Sequence, residues 1–186
     1  MKKALAKLIF YKLMGWTIET PYPNEKAPKS VIMVMPHTSN WDFPIGILIR
    51  PILDFESHFV GKKSLFFFPL GNLLRWLGGV AVDRSKKTNF VEACAALFEG
   101  RKKFQLTLTP EGTRRKVTQL KSGFYFIALK AKVPIVCCKF DWGKKLVGFA
   151  EPFYPTGDYE TDLRLLLQYF KGVRGKIPAF DFEIKD

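Results

Sequence analysis

Apolar and polar positions along this chain follow two rhythms, one suited to strands and the other to helices. Val31-Ile-Met-Val-Met35 is an unbroken apolar run of strand length and predicts a buried strand. Phe104 to Thr109 alternates, with Phe104, Leu106 and Leu108 on one side and Gln105, Thr107 and Thr109 on the other. Shorter strands are predicted at residues 58–61 and 79–83, and further ones at 133–140 and 145–149. Helical stretches lie between them. One starts near Asn40, where Ser39 or Asn40 can cap it and Pro44 is tolerated in the first turn. A second runs from about Thr88 to Glu99, places Phe90, Cys94, Leu97 and Phe98 on one face, and stops at Gly100. A third covers roughly residues 121–131. The last is the clearest: Asp158 as cap, Glu160 and Asp162 in the first turn, a stripe of Leu163, Leu166, Leu167 and Phe170, then Lys171-Gly172.

This alternation argues for an α/β domain with helices flanking one sheet. At 186 residues the chain reads as a single domain with a substantial core. The proline-broken stretch Thr20-Pro-Tyr-Pro-Asn-Glu-Lys-Ala-Pro-Lys29 connects a basic amphipathic helix over residues 1–19 to a main domain over residues 30–186. Lys7 and Lys12 interrupt what would be the apolar core of a signal peptide, and no small-residue cleavage site follows. No stretch reaches the roughly 18 apolar residues of a spanning helix. The first segment instead suits a membrane interface, with Leu5, Leu8, Ile9 and Leu13 towards lipid and lysine stems along the headgroups. A helix packed on the domain fits equally, because Lys12 falls among the apolar positions.

Charge narrows the partners. Thirty basic residues against 17 acidic ones leave a formal charge of +13, which suits nucleic acid, an anionic membrane, or an acidic protein or substrate. Simple solubilisation of a chain with 18 phenylalanines is the other reading. Cys94, Cys137 and Cys138 have no zinc-like spacing and read as buried, reduced thiols of a cytoplasmic protein.

The candidate chemistry collects after three predicted strands. His37 and Asp42 follow the first, Asp83-Arg84 follows the strand at 79–83, and Pro110-Glu-Gly-Thr-Arg114 follows the strand at 104–109. If these strands are parallel, all three loops share the carboxyl edge where open α/β sheets bind ligands. Five residues on a regular helix turn through about 500°, so His37 and Asp42 meet only across a loop-to-helix junction. There Asp42 can hold one ring nitrogen and leave the other to take a proton. Gly112 allows close backbone approach, Thr113 offers donors and Arg114 grips phosphate with two parallel bonds, with Arg84 and Lys121 completing an anion cradle. The chain lacks a Gly-x-Ser-x-Gly elbow, a Walker loop and a Gly-x-Gly-x-x-Gly turn. No metal site is expected from its two histidines.

Taken in order, the motifs resemble the 1-acyl-sn-glycerol-3-phosphate acyltransferase family, within the glycerolipid and lysophospholipid acyltransferases. The resemblance spans roughly residues 31–155. It rests on His37-Thr-Ser-Asn-Trp-Asp42, Gly61-Lys-Lys-Ser-Leu65, Gly78-Gly-Val-Ala-Val-Asp-Arg84, Pro110-Glu-Gly-Thr-Arg114, Lys121-Ser-Gly123 and Val133-Pro-Ile-Val136. It implies a mixed, largely parallel sheet and transfer of a fatty acyl group from acyl-CoA or acyl-carrier protein to a lysophospholipid hydroxyl. 1-Acyl-glycerol-3-phosphate, giving phosphatidate, is the expected acceptor. His37 would act as base and Asp42 as its partner, while Arg84, Glu111, Gly112, Thr113, Arg114 and Lys121 would bind the acceptor's phosphate. The resemblance implies no cofactor beyond the acyl co-substrate. The implied location is peripheral, on an anionic membrane at its cytoplasmic face, with no nucleic-acid partner. An amino-acid-containing lysolipid as acceptor is the alternative within the class. Outside it stands a non-catalytic basic protein that binds membrane or nucleic acid.

Overall fold

The structure is a computed structural model and describes residues 3–82 and 87–184. Its centre is a seven-stranded sheet of β1 (Thr17–Thr20), β2 (Lys29–Met35), β3 (Ser57–Lys62), β4 (Gly79–Val82), β5 (Phe104–Leu108), β6 (Ile135–Asp141) and β7 (Leu146–Phe149). The spatial order is β1-β7-β6-β2-β5-β3-β4, and every neighbouring pair is parallel except β6–β7. The expected mixed, largely parallel α/β sheet is therefore observed. Among the described residues six α-helices join it: α1 (Lys3–Lys7), α2 (Asp42–Leu53), α3 (Leu70–Trp76), α4 (Lys87–Ala96), α5 (Gly123–Ala131) and α6 (Tyr159–Gln168).

The unbroken apolar run of β2 is explained by its central place, because it is covered on both faces. Val31, Met33 and Met35 face a cluster that includes Phe124, Ile127 and Ala128 of α5 and Leu166 of α6. Ile32 and Val34, on the alternate positions, face Ile45, Leu48 and Ile49 of α2. The crossovers that flank β2 move in opposite directions along the sheet: β2 to β3 one way, β5 to β6 the other. Right-handed crossovers of opposite direction must lie on opposite faces, so α2 and α5 sandwich β2.

Two local expectations are corrected. Neither Ser39 nor Asn40 caps α2; the helix starts at Asp42 after Trp41, whose position carries no side-chain cap. Ser39 Oγ instead accepts from Trp41 N at 3.2 Å, while its own N–H donates to the Asp42 carboxylate at 3.1 Å. The helix expected over residues 1–19 is also shorter. After α1 the chain widens into a π turn at Leu8–Leu13, closed by Met14 N donating to Ile9 O at 2.9 Å, and Thr17–Thr20 becomes the edge strand β1. Ala6 of α1 and Phe10 of the π turn face inward against α2 and leave Leu5, Leu8 and Leu13 outside, so this segment is built into the domain. Helix α3 has no counterpart in the expectations.

At the other end, the Asp158 cap is present, its side chain accepting from Thr161 N at 3.2 Å. All three cysteines are buried.

Candidate active site

Strands β2 and β5 pair side by side, Met33 beside Leu108, so the loops after them emerge together at the carboxyl edge. One loop enters α2 on one face and the other leads to α5 on the opposite face. Divergence of neighbouring connections opens a crevice between them. The cavity there measures about 1180 Å³, and His37, Asp42, Gly112, Thr113, Arg114 and Lys121 all line it. Arg84, with Asp83, lies outside the described residues.

His37 Nδ1 and Asp42 Oδ2 are 2.9 Å apart. The same Oδ2 accepts from Ser39 N at 3.1 Å, and Asp42 Oδ1 accepts from Trp142 Nε1 at 2.7 Å. Asp42 is thus buried and met by three donors, the arrangement a buried carboxylate requires. With a carboxylate opposite it, Nδ1 carries the ring proton, and Nε2 is the nitrogen left to accept one. The loop itself is anchored: Thr38 is buried, and its Oγ1 accepts from Ile177 N at 3.1 Å.

Glu111 stands behind the cavity wall. Its Oε1 accepts from the backbone N–H of His37 at 3.0 Å, while Oε2 has no hydrogen-bond partner among the described residues. Burial pushes its carboxyl up from 4.5 to about 7, opposed by the His37 N–H bond and by attraction to His37. Its contact here is with the backbone of His37.

Beyond Glu111 the loop turns outward. Gly112 takes φ +63°, and a Cβ there would meet Lys121 Nζ at 2.5 Å, so only glycine lets the lysine lie across the turn. Lys121 N donates to Pro110 O at 2.7 Å and closes the loop, leaving Thr113, Arg114 and Lys121 exposed. The cavity continues along apolar side chains that include Ile32, Val34, Ile49, Phe55 and Phe149. His58 does not line it; that ring packs on Phe104 at 4.6 Å, and burial, helped by Arg101, lowers its pKa.

The family model for acyltransferases matches residues 20–141, well over half of the chain. The chain belongs to the acyltransferase family. This acyltransferase is 28% identical to the 1-acyl-sn-glycerol-3-phosphate acyltransferase of Haemophilus influenzae, over 94% of the chain and 80% of that relative. It is 30% identical to the protein of the same name from Escherichia coli K12, over 67% of the chain and 52% of that relative. It therefore spans four-fifths of the first relative and about half of the second. The crystal structure of the 1-acyl-sn-glycerophosphate (LPA) acyltransferase from Thermotoga maritima shares the fold, with a TM-score of 0.57 and 23% identity over 94% of this chain and 80% of that one. Among the described residues, no group of three His, Cys, Asp or Glu side chains could hold a metal ion.

Trp142 and Thr38 are site residues that motif spacing misses, since their partners lie 100 and 139 positions away. The raised Glu111 carboxyl yields a pH prediction. Its folded pKa of about 7 exceeds the ordinary 4.5, so its contribution to stability is full below about pH 4.5 and lost as pH rises through 7. Glu111→Gln, always neutral, escapes that loss. Urea denaturation at about pH 5 and pH 8 should show the variant gaining on the wild type by up to about 3 kcal/mol at the higher pH.

Proposed function

We propose that this acyltransferase moves a fatty acyl group from a thioester donor, acyl-CoA or acyl-carrier protein, to the free hydroxyl of 1-acyl-sn-glycerol-3-phosphate, forming phosphatidate. The observation that carries this reading is the 2.9 Å His37–Asp42 contact inside a cavity that has phosphate-gripping groups and an apolar extension. The names of the relatives from Haemophilus influenzae and Escherichia coli support the acceptor.

His37 Nε2 takes the proton of the acceptor hydroxyl as the oxygen attacks the thioester carbonyl. Asp42 holds Nδ1–H throughout and balances the imidazolium. An ester C–O bond forms, the C–S bond breaks, and the departing thiolate receives the proton from Nε2. No acyl-enzyme is required. A positioned base of this kind contributes about 10²–10⁴-fold in rate. Arg114, with Thr113 and Lys121, binds the acceptor's phosphate, and the apolar part of the cavity takes hydrocarbon chain.

Both substrates in this reading carry long apolar chains, and the proposed partner surface is an anionic lipid bilayer. Phe10 of the π turn packs with α2, and Arg50 of α2 donates Nη1 to Leu77 O just after α3, at 2.5 Å. The N-terminal segment and α3 therefore flank the same helix. These two elements and the loop entering α3 expose Leu13 at 74%, Phe68 at 83% and Trp76 at 71%, along with Leu8, Phe67 and Leu73. Lys3, Lys7, Lys12, Lys63 and Arg75 are exposed among these residues and suit lipid phosphates. Among the described residues no helix is long and apolar enough to cross a membrane.

His37→Ala and Asp42→Asn should each abolish transfer to lysophosphatidate while vesicle binding survives; full activity in His37→Ala would sink the reading. Arg114→Ala should raise KM for lysophosphatidate by about tenfold with a smaller effect on kcat. A panel of lysolipid acceptors checks this, since a phosphate-free acceptor preferred by the wild type contradicts the cradle. Phe68→Ser and Trp76→Ser should each weaken binding to anionic vesicles by about tenfold in a sedimentation assay.

A further inference from the structure

Asp42 is tied on both of its oxygens. His37 and Ser39 address Oδ2, and the indole N–H of Trp142 addresses Oδ1 at 2.7 Å. Trp142 directly follows β6 (Ile135–Asp141), which runs parallel to β2, so it arrives at the same sheet edge as His37. It lies one residue beyond the segment that the acyltransferase family model matches.

The indole is held from several sides. Its ring stacks edge-to-face on buried Trp16, with centroids 4.9 Å apart. Lys176 Nζ sits 4.5 Å from its ring centroid and 4.8 Å from that of Trp41. Its backbone N–H donates to Arg174 O at 2.8 Å. A ring gripped in this way cannot turn its single N–H elsewhere. The ammonium over its face also draws electron density from the indole and strengthens the donor.

This matters because a carboxylate bound through one oxygen still swings about its terminal torsion, which is broad. Such a swing would tilt the imidazole and redirect Nε2. A second bond on Oδ1 removes that freedom, and small misplacements of a reacting group are costly in rate. We propose that Trp142 is a positioning residue for acyl transfer, its indole N–H locking the Asp42 carboxylate and thereby the direction of His37 Nε2. The proposal rests on the reading of His37 as the base.

Trp142→Phe keeps an aromatic ring and removes only the donor. In the full chain its kcat should fall about tenfold, with KM for acceptor and donor within about twofold and the fold retained at the assay temperature. A tryptophan that merely fills space would leave kcat at the wild-type value in this variant, and that result overturns the proposal. A second readout does not depend on turnover. The Trp142 indole N–H resonance, assigned by its loss in Trp142→Phe, should move in Asp42→Ala because its acceptor is gone. An unmoved resonance also overturns the proposal. If the Trp142→Phe chain does not fold, Lys176→Ala serves instead, since Lys176 is exposed. There kcat should fall in the same direction with KM held and the indole N–H should exchange faster, and wild-type values for both contradict the proposal. Failure of the underlying reading looks different: an active His37→Ala enzyme removes the base assignment, whereas an inactive one beside a fully active Trp142→Phe enzyme removes only the positioning role.

Discussion

Parallel pairing of β2 with both β5 and β6 is the constraint on which the remaining architecture depends. It buries β2 on two faces and so demands its apolar sequence. It also brings three chain segments to one edge: the His37 loop, the Glu111–Arg114 loop and Trp142. Because the connections after β2 and β5 leave to opposite faces, the space between them cannot close. The cavity is a result of topology before any side chain is chosen.

Within that space, two acidic side chains serve one imidazole and are treated differently. Asp42 receives three donors and faces the ring. Glu111 receives one, from the backbone of the same histidine, and burial raises its carboxyl. One acid therefore orients the side chain and the other fixes the main chain. The excess positive charge lies elsewhere: Arg114 and Lys121 at the cavity, and the lysines of the N-terminal segment, are all exposed. Buried carboxylates thus surround the imidazole, while the cations at the cavity stand in solvent.

Much of this was legible in the chain because it is local. The runs at 31–35 and 104–109 form β2 and β5, the stripe after Asp158 forms α6, and the five-residue step from His37 to Asp42 spans a loop-to-helix junction. β1 was hidden because Thr17-Ile-Glu-Thr20 is a mostly exposed edge strand with no apolar alternation to read. Ser39 does not cap α2 because its Oγ is taken by the N–H of Trp41, a contact the sequence does not display. Glu111 looked like part of an outward loop because sequence does not say that the chain turns out only after it. Trp142 could not be found at all, since nothing in a one-dimensional pattern links it to a residue 100 positions earlier.

The bond from Ile177 N to Thr38 Oγ1 joins residues 139 positions apart, and Arg174 O holds the backbone of Trp142. During synthesis, the loop bearing His37 therefore emerges long before the segment that secures it. Until residues 174–177 have left the ribosome, the nascent chain carries the His37–Asp42 motif without these anchors. A molecule halted short of that point would display every recognisable motif and still lack a finished site.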